Sequence, residues 1–419
     1  MNIRFFSGGA GCGKTYKLMA SLEETLAVAP LVDGQKVLAL TFMHGSRRRL
    51  DERLTAIRIL TQRYECTVLD SFALRIITRW GTLLATLGVR QPNIKEFDHV
   101  CEAAGILLTH DIVAKWVAAT YPIIVLDEAQ DLNSVRLNII KGLAPHITLL
   151  AAADEFQCLN EHLRPNPAVQ WLESISETEK LDIPKRTRVT QLLDAARAVR
   201  QEQKPISQTA FKIVATPNAG LAGNYLSNAI GWAKGQRIAV ITTSTGQFAT
   251  DVVDWVGTRT TKKGHGPYHI KWERSEEKAV SAYIASVKFH QEVSASEIEG
   301  VVIAAGDARV TKNVLSWLDK QRRTKGRVMF TDAEIIHVIE QSFTSRKHGR
   351  EIARQGHIAM TVHGAKNREF DKVVVLWPGA TVGSADQKRR LLYNAITRAK
   401  GSCLVLVQVE AMLAQPPFA

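Results

Sequence analysis

The sequence contains no apolar run approaching the ~18 residues that a membrane-spanning helix needs, and no signal-peptide pattern, which predicts a protein without a membrane partner. Cysteine is scarce. Cys12, Cys66, Cys101, Cys158 and Cys403 are odd in number, scattered and without metal-ligand spacing. This excludes a disulfide framework or zinc module and predicts reduced thiols in a cytoplasmic protein. There is no low-complexity segment, no short-period repeat and no nuclease constellation, so any strand cleavage would need a partner. Negative charge is also short, with 41 acidic residues against 54 basic and a net charge of +13. An excess that large points to a polyanionic partner, of which nucleic acid is the commonest. What remains, 45% hydrophobic and 23% charged, describes an ordinary globular protein. At 419 residues it is too long for one average domain.

Against these absences one stretch is dense with information. Ile3-Arg-Phe-Phe-Ser-Gly-Gly-Ala-Gly-Cys-Gly-Lys-Thr15 reads as a strand, a glycine-rich turn and the start of a helix. Gly8, Gly13, Lys14 and Thr15 meet the phosphate-loop spacing G-x-x-x-x-G-K-[ST]. Phosphates need inward-pointing backbone N–H groups, and residues without a Cβ let the loop wrap closely. Gly8, Gly9, Ala10, Gly11, Cys12 and Gly13 supply that cradle. Lys14 then neutralises β/γ-phosphate charge, Thr15 can hold Mg²⁺, and the helix presents its positive end.

Further along, Val37–Phe42 reads as a buried strand and Ser46–Leu54 as a basic helix. Thr67–Leu74 reads as a strand leading into a helix, and about 79–120 as mixed helix and loop. Tyr121–Asp131 places four apolar β-formers before two carboxylates, and Ile147–Gln157 repeats that design. A basic amphipathic helix is expected over Lys180–Lys204, with the boundary between halves there. The second half restarts with a strand at Arg237–Thr242. Strand and helix candidates follow at Val301–Ala304, Val328–Phe330 and Ala333–Gln341, with basic stretches at Lys320–Arg327 and Arg346–Arg354. Strands are expected at Ile358–His363, Lys372–Trp377 and Ser402–Val407, with a helix over Arg389–Lys400. Alternating strands and helices with polar residues at the strand tips predict an α/β fold on parallel sheets.

The chemistry follows from those tips. Asp127 and Glu128 end a buried strand, so one carboxylate can bind the metal held by Thr15 while its neighbour orients or deprotonates a water. Gln157 can touch both water and γ-phosphate. Arg186 and Arg398 taken alone read as surface arginines, but phosphoryl transfer benefits from arginines that reach in from a second body, because charge develops on the equatorial oxygens.

Taken together the motifs resemble the superfamily 1 helicases of the UvrD/Rep/PcrA type. Gly8–Thr15 resembles motif I, Thr41-Phe-Met-His-Gly-Ser-Arg47 motif Ia, and Leu69-Asp-Ser-Phe-Ala73 the following DNA-contacting motif. Asp127-Glu-Ala-Gln-Asp131 resembles motif II, Ala153-Asp-Glu-Phe-Gln157 motif III, and Leu181–Thr187 motif IV. Thr361–Asp371 resembles motif V and Arg390–Lys400 motif VI. The resemblance implies two RecA-like domains with ATP and Mg²⁺ at their interface and 3′→5′ translocation on single-stranded DNA or a partial duplex. It places them at 1–180, with a helical insertion near 80–120, and at 181–419, with a reduced insertion near 243–355. It implies Lys14, Glu128, Gln157, Arg186 and Arg398 as the hydrolysis residues, Thr15 and Asp127 on the metal, and Glu369 linking the ATP site to DNA. Thr41, Phe42, Ser71, Thr361 and His363 would line the DNA path. A nuclease or a replication or repair factor is the partner class implied.

The chain also departs from that pattern. It begins at the P-loop strand, so the family's upstream glutamine motif for adenine is expected to be missing. Asp70 stands in place of a histidine and would repel phosphate if it faced DNA. Cys158, Leu159 and Asn160 replace the aromatics that follow the motif III glutamine. Asn367-Arg368 replaces Gly-Leu in motif V, where asparagine tolerates a left-handed turn.

Overall fold

The fold was obtained as a computed structural model, which describes residues 2–42, 44–93, 96–273, 282–290, 292–346 and 357–419. Met43 of the motif Ia stretch lies outside the described residues, as does the basic stretch Arg346–Arg354 from residue 347 onward.

Six strands form the first sheet: β1 (Asn2–Gly8), β2 (Val37–Thr41), β3 (Tyr64–Val68), β4 (Ile123–Leu126), β5 (Thr148–Ala153) and β6 (Thr178–Leu181). Their order is β3-β2-β4-β5-β1-β6, and every pairing is parallel. The sequence explains this arrangement. Val37-Leu-Ala-Leu and Ile123-Ile-Val-Leu are apolar at consecutive positions, which suits a strand covered on both faces. Phe5, Leu38 and Leu40 join one core, while Phe6, Val37 and Ala39 join another on the opposite face. Helices on both sides supply the partners: Lys14–Val28 and His44–Thr55 on one, Leu69–Arg79 and Phe97–Leu108 on the other. Within 79–120 the chain is helical at Gly81–Thr86, Phe97–Leu108 and Asp111–Thr120.

Because all six strands run the same way, the tips of β1, β2, β4 and β5 share one edge. The P-loop, Thr41-Phe42, Asp127-Glu128 and Asp154 all emerge there, with β5 between the β4 carboxylates and the β1 loop.

A second sheet comprises β7 (Phe211–Ala215), β8 (Ile238–Thr242), β9 (Ile270–Trp272), β12 (His357–Thr361), β13 (Phe370–Trp377) and β14 (Ala399–Val407). The order is β7-β14-β13-β8-β12-β9, with β14, β13, β8 and β7 joined by parallel pairings. The two parallel sheets with flanking helices are RecA-like α/β. Residues up to Ile270 and from Ala359 onward form one compact unit, and Lys271–Ile358 a second. The second unit contains the antiparallel pair β10 (Glu292–Ser294) and β11 (Met329–Thr331). Val301–Ala304 is the last turn of the helix Ala295–Ala304, and Ala333–Gln341 lies in the helix Asp332–Arg346.

One expectation is corrected. The helix anticipated over Lys180–Lys204 covers only Thr190–Arg200, and Lys180 and Leu181 belong to the edge strand β6 beside β1. Pro184 disfavours helical backbone at Ile183, so helix cannot begin until the chain has passed it. All five cysteines are unpaired and buried. No helix among the described residues is long and apolar enough to cross a membrane.

Candidate nucleotide-hydrolysis site

Gly11 and Gly13 carry φ of +79° and +86°, the left-handed region that glycine enters without penalty. A Cβ on Gly11 would lie 2.7 Å from the Cβ of Arg186, so the loop also needs the missing atom in order to pack. The Lys185 and Arg186 N–H groups both donate to Gly11 O, at 2.7 and 3.2 Å. Lys14 is buried and its Nζ donates to the carbonyls of Gly8 and Gly9 at 2.9 and 3.1 Å. Thr15 Oγ1 donates to Asp127 Oδ2 at 3.1 Å, joining the P-loop helix to the tip of β4.

Asp127 and Glu128 divide their roles electrostatically. Burial, then the charge of Glu128, pushes the Asp127 carboxyl up to about 6. Burial would raise Glu128 too, but Lys14 and Lys366 outweigh it and hold that carboxyl below its usual range. Glu128 sits at φ +59°, strained for a residue with a side chain. Its surroundings fix it there: its N–H donates to Asp127 Oδ1 at 3.0 Å, and Gln130 Nε2 donates to its carboxylate. Gln130 is itself held by Asp154 N–H at 3.0 Å and carries Asn166 on its carbonyl at 2.7 Å. Gln157 lies buried on the 3₁₀ turn Glu155–Gln157 after β5.

The later arginines arrive from two places. Arg186 follows β6, and Arg398 precedes β14 at the end of the helix Ala385–Ile396. Arg186 Nη1 donates to Thr397 O at 2.7 Å and its Nε to Glu369 Oε1 at 2.9 Å. Arg398 is only 1% exposed, with Nε on Asn394 O at 2.9 Å and Nη2 on Thr397 Oγ1 at 3.2 Å. Burial, and then the charge of Arg186, pushes Arg398 down to about 9, although Glu128 works against that shift. Glu369 is shared by Arg186, by Arg49 at 2.5 Å and by Lys400 at 3.0 Å. Burial opposes its charge, but Arg186, Lys400 and Arg49 together hold the carboxyl at about 2.

These imbalances test whether nucleotide and metal fit. On the β4 side burial and the neighbouring charge push the Asp127 carboxyl up, beside the Thr15 hydroxyl and Glu128; those oxygens are of the kind a hard metal takes. Within electrostatic reach of Glu128, burial and the charge of Arg186 push the Arg398 guanidinium down. A triphosphate with its metal would suit both clusters: Thr15 and Asp127 have the oxygen donors a metal takes, and Lys14, Arg186 and Arg398 the charge that phosphate takes.

Sequence reasoning missed several partners. Tyr393 Oη accepts from Ala10 N–H at 2.8 Å, and Arg200 joins Tyr393 to Asp154 at 3.3 and 3.0 Å. Arg200 and Tyr393 line a cavity of about 510 Å³ beside Gly8–Ala10. Lys366 forms a half-buried ion pair with Asp131 at 2.7 Å. Arg49 and Arg200 lie in stretches read from sequence only as basic helices, and Tyr393 within motif VI.

Of the expected DNA-path residues, Thr41 is buried at the end of β2, Ser71 lies half-buried in the first turn of Leu69–Arg79, and Phe42 is 36% exposed. The Arg136 guanidinium lies 5.3 Å from the centre of the Phe42 ring. Its Nε donates to Asp70 at 2.8 Å, so the charge expected to repel phosphate is already matched by an arginine. Thr361 ends β12 and His363 stands two residues beyond it, where Gly364 N–H donates to Thr361 Oγ1 at 3.2 Å. Asn367 adopts φ +62°, the left-handed turn its side chain tolerates.

The sequence family described as the AAA domain matches residues 2–162, and that described as the UvrD-like helicase C-terminal domain matches residues 357–406. No curated protein matches the chain. Two solved structures of the Arterivirus nonstructural protein 10 helicase are similar at 11% identity, one of them a complex with DNA. The match covers 99% of this chain, with TM-scores of 0.41 and, for the complex, 0.39. The chain spans about three fifths of their length, 61% and 62%. With the AAA match over the P-loop sheet and the UvrD-like match over the strands of motifs V and VI, the chain belongs to the superfamily 1 helicases of the UvrD/Rep/PcrA type.

Proposed function

We propose that this chain is a DNA-dependent ATPase that translocates 3′→5′ on single-stranded DNA and unwinds partial duplexes. We assign residues 1–180 and 181–419 to the two RecA-like domains and the hydrolysis site to their interface. Mg²⁺, when bound, would neutralise phosphate charge. Thr15 and Asp127 hold it, and Lys14 meets the phosphates with the backbone N–H groups of Gly9–Gly13. Glu128, kept ionised by Lys14 and Lys366, takes the proton of the attacking water, which Gln157 orients. Arg186 and Arg398 stabilise charge on the transferred group. Thr41, Phe42, Ser71, Thr361 and His363 take the strand.

The observation that carries this reading is that Arg186 packs on the P-loop, its N–H donating to Gly11 O at 3.2 Å, while Arg398 and Glu128 act on each other's charge. Single-stranded DNA should stimulate ATP hydrolysis by the wild type, and Lys14→Ala should abolish it. Equal hydrolysis with and without DNA would sink the proposal. Displacement assays on 3′- and 5′-overhang duplexes test polarity. A second reading, an ATP-switched DNA-binding subunit of a repair, replication or defence complex without robust unwinding of its own, is favoured by one observation. Cys158 and Leu159, which follow Gln157, are buried and aliphatic in character, with no ring to stack on a base. Such a subunit would bind DNA under ATP control and displace no strand.

A further inference from the structure

Arg200 ends the helix Thr190–Arg200, whose buried face is Leu192, Ala195, Ala196 and Val199. Its Nη1 donates to Asp154 Oδ1 at 3.0 Å and to Tyr393 Oη at 3.3 Å. The Asp154 side chain is fully buried at the tip of β5, whereas that of Arg200 keeps 39% exposure. A buried carboxylate needs a cation or several donors, and Arg200 joins the Phe156 N–H, at 3.2 Å, in supplying them. Arg200 Cζ also lies 5.5 Å from the centre of the Phe156 ring and 5.8 Å from that of Tyr393. Those two rings meet edge to face at 5.0 Å.

A phenol oxygen carries one proton and can accept two more hydrogen bonds. Burial, and then the charge of Asp154, hold the Tyr393 phenol above its ordinary range, so it keeps that proton. The proton faces Asp154 Oδ2, 3.4 Å away, while the oxygen accepts from Arg200 Nη1 and, at 2.8 Å, from the Ala10 N–H of the P-loop. All three places on the oxygen are filled, so Arg200 and Asp154 together fix the way it faces the loop. Gly9 makes the approach possible: a Cβ there would stand 3.2 Å from Tyr393 Oη and 3.4 Å from Arg200 Nη1. On its other side Tyr393 belongs to the helix Ala385–Ile396, and its carbonyl accepts from Thr397 Oγ1 at 2.8 Å. Thr397 Oγ1 in turn accepts from Arg398 Nη2 at 3.2 Å. One connected path therefore runs from Ala10 through Tyr393 and Thr397 to Arg398.

We infer that Arg200 is a positioning residue for ATP hydrolysis, on the reading that Arg398 meets the γ-phosphate: through Asp154 and Tyr393 it straps the P-loop to the helix that leads to Arg398. With its N–H on Tyr393, Ala10 serves as the tether, while Lys14 and the other N–H groups of the loop hold phosphate. The strap therefore sets how far Arg398 stands from the P-loop and leaves ground-state nucleotide binding to other groups. A small displacement of a group that acts only in the transition state lowers kcat and spares KM.

The test is steady-state ATP hydrolysis by the full chain on saturating single-stranded DNA, with binding of a fluorescent nucleotide measured alongside. Tyr393→Phe removes one oxygen and leaves the ring on Phe156; kcat should fall about tenfold, with KM and nucleotide affinity within about twofold of wild type. Arg200→Met should do the same, and the double variant should be no slower than the slower single one, because both act through one hydroxyl. Arg200→Met strips a buried carboxylate of its cation, so calorimetry checks that it folds; where it does not, Tyr393→Phe carries the test alone. Arg398→Ala supplies the background that a merely structural role would not respect: there Tyr393→Phe should lower kcat no further. A further loss of about tenfold in that background, a loss in KM instead of kcat, or wild-type kcat in Tyr393→Phe would overturn the inference. Hydrolysis by Arg398→Ala at the wild-type rate would instead remove the reading of Arg398 and this inference with it, an outcome distinct from additivity, which removes the strap alone.

Discussion

Arg186 Nε donates to Glu369 Oε1 at 2.9 Å, and the same oxygen accepts from Arg49, on the helix that follows β2 and Phe42. One carboxylate therefore ties the arginine proposed to meet γ-phosphate to the helix behind the proposed DNA path. Lys400 completes the set at 3.0 Å. A strand that drew Arg49 toward its own phosphates would loosen Glu369 and change the hold on Arg186. That is a physical route from DNA to hydrolysis.

Glu369→Gln should uncouple the two. It keeps the shape and removes the charge that three cations share. We expect kcat for DNA-stimulated hydrolysis to fall roughly tenfold to hundredfold, with basal hydrolysis changed less. Steady-state ATPase with and without single-stranded DNA measures both.

The same carboxylate predicts a pH dependence. Its folded pKa of about 2 lies below the ordinary value of 4.5, so its contribution to stability is complete above about 4.5 and is lost as pH falls toward 2. Urea unfolding of wild type and Glu369→Gln should differ at neutral pH and converge through that window. A constant difference down to the acid limit would contradict the ion-pair geometry.

Asp127 behaves in the opposite sense. Its folded pKa of about 6 exceeds the ordinary 3.8, so the ionised group costs stability that grows as pH rises from about 4 to 6. Without nucleotide and Mg²⁺, Asp127→Asn should therefore raise Tm at pH 7 by about 2 °C while abolishing Mg²⁺-dependent hydrolysis. Differential scanning calorimetry paired with the ATPase assay checks both halves; a lower Tm would contradict this burial argument.

The Arg136 cluster offers a double-mutant cycle. Arg136→Met leaves Asp70 and Asp98 without their shared cation and takes the guanidinium away from Phe42. It should cost roughly 3 kcal/mol of stability. Asp70→Asn/Arg136→Met should recover a good part of that loss, yet still bind single-stranded DNA more weakly than wild type because the Phe42 ring has lost its support. Chemical denaturation and DNA titration of the four proteins complete the cycle.

How much of this was legible in the sequence depended on how local the cause was. The P-loop was legible because glycine spacing and Lys14-Thr15 act within one turn. Strands β2, β4 and β5 were legible because burial on both faces leaves uninterrupted apolar runs. Strand β6 was not, since Thr178-Glu-Lys-Leu181 is a short edge strand in which Glu179 and Lys180 are exposed and only Leu181 packs on the core. Asp70 read as a liability because Arg136, 66 residues away, supplies the compensating charge. Arg398 carries no composition signal of burial; only packing against Asn394 and Thr397 reveals it. Asn367, by contrast, announced its left-handed turn through its own side chain.

The central claim is that Arg186 completes a hydrolysis site begun by Lys14, Thr15, Asp127 and Glu128. Arg186→Ala measures it most directly, with single-turnover ATP hydrolysis on saturating single-stranded DNA and binding of a fluorescent nucleotide in parallel. The account predicts nucleotide affinity within about threefold of wild type and a hydrolysis rate lower by about a thousandfold. Hydrolysis at the wild-type rate would contradict it.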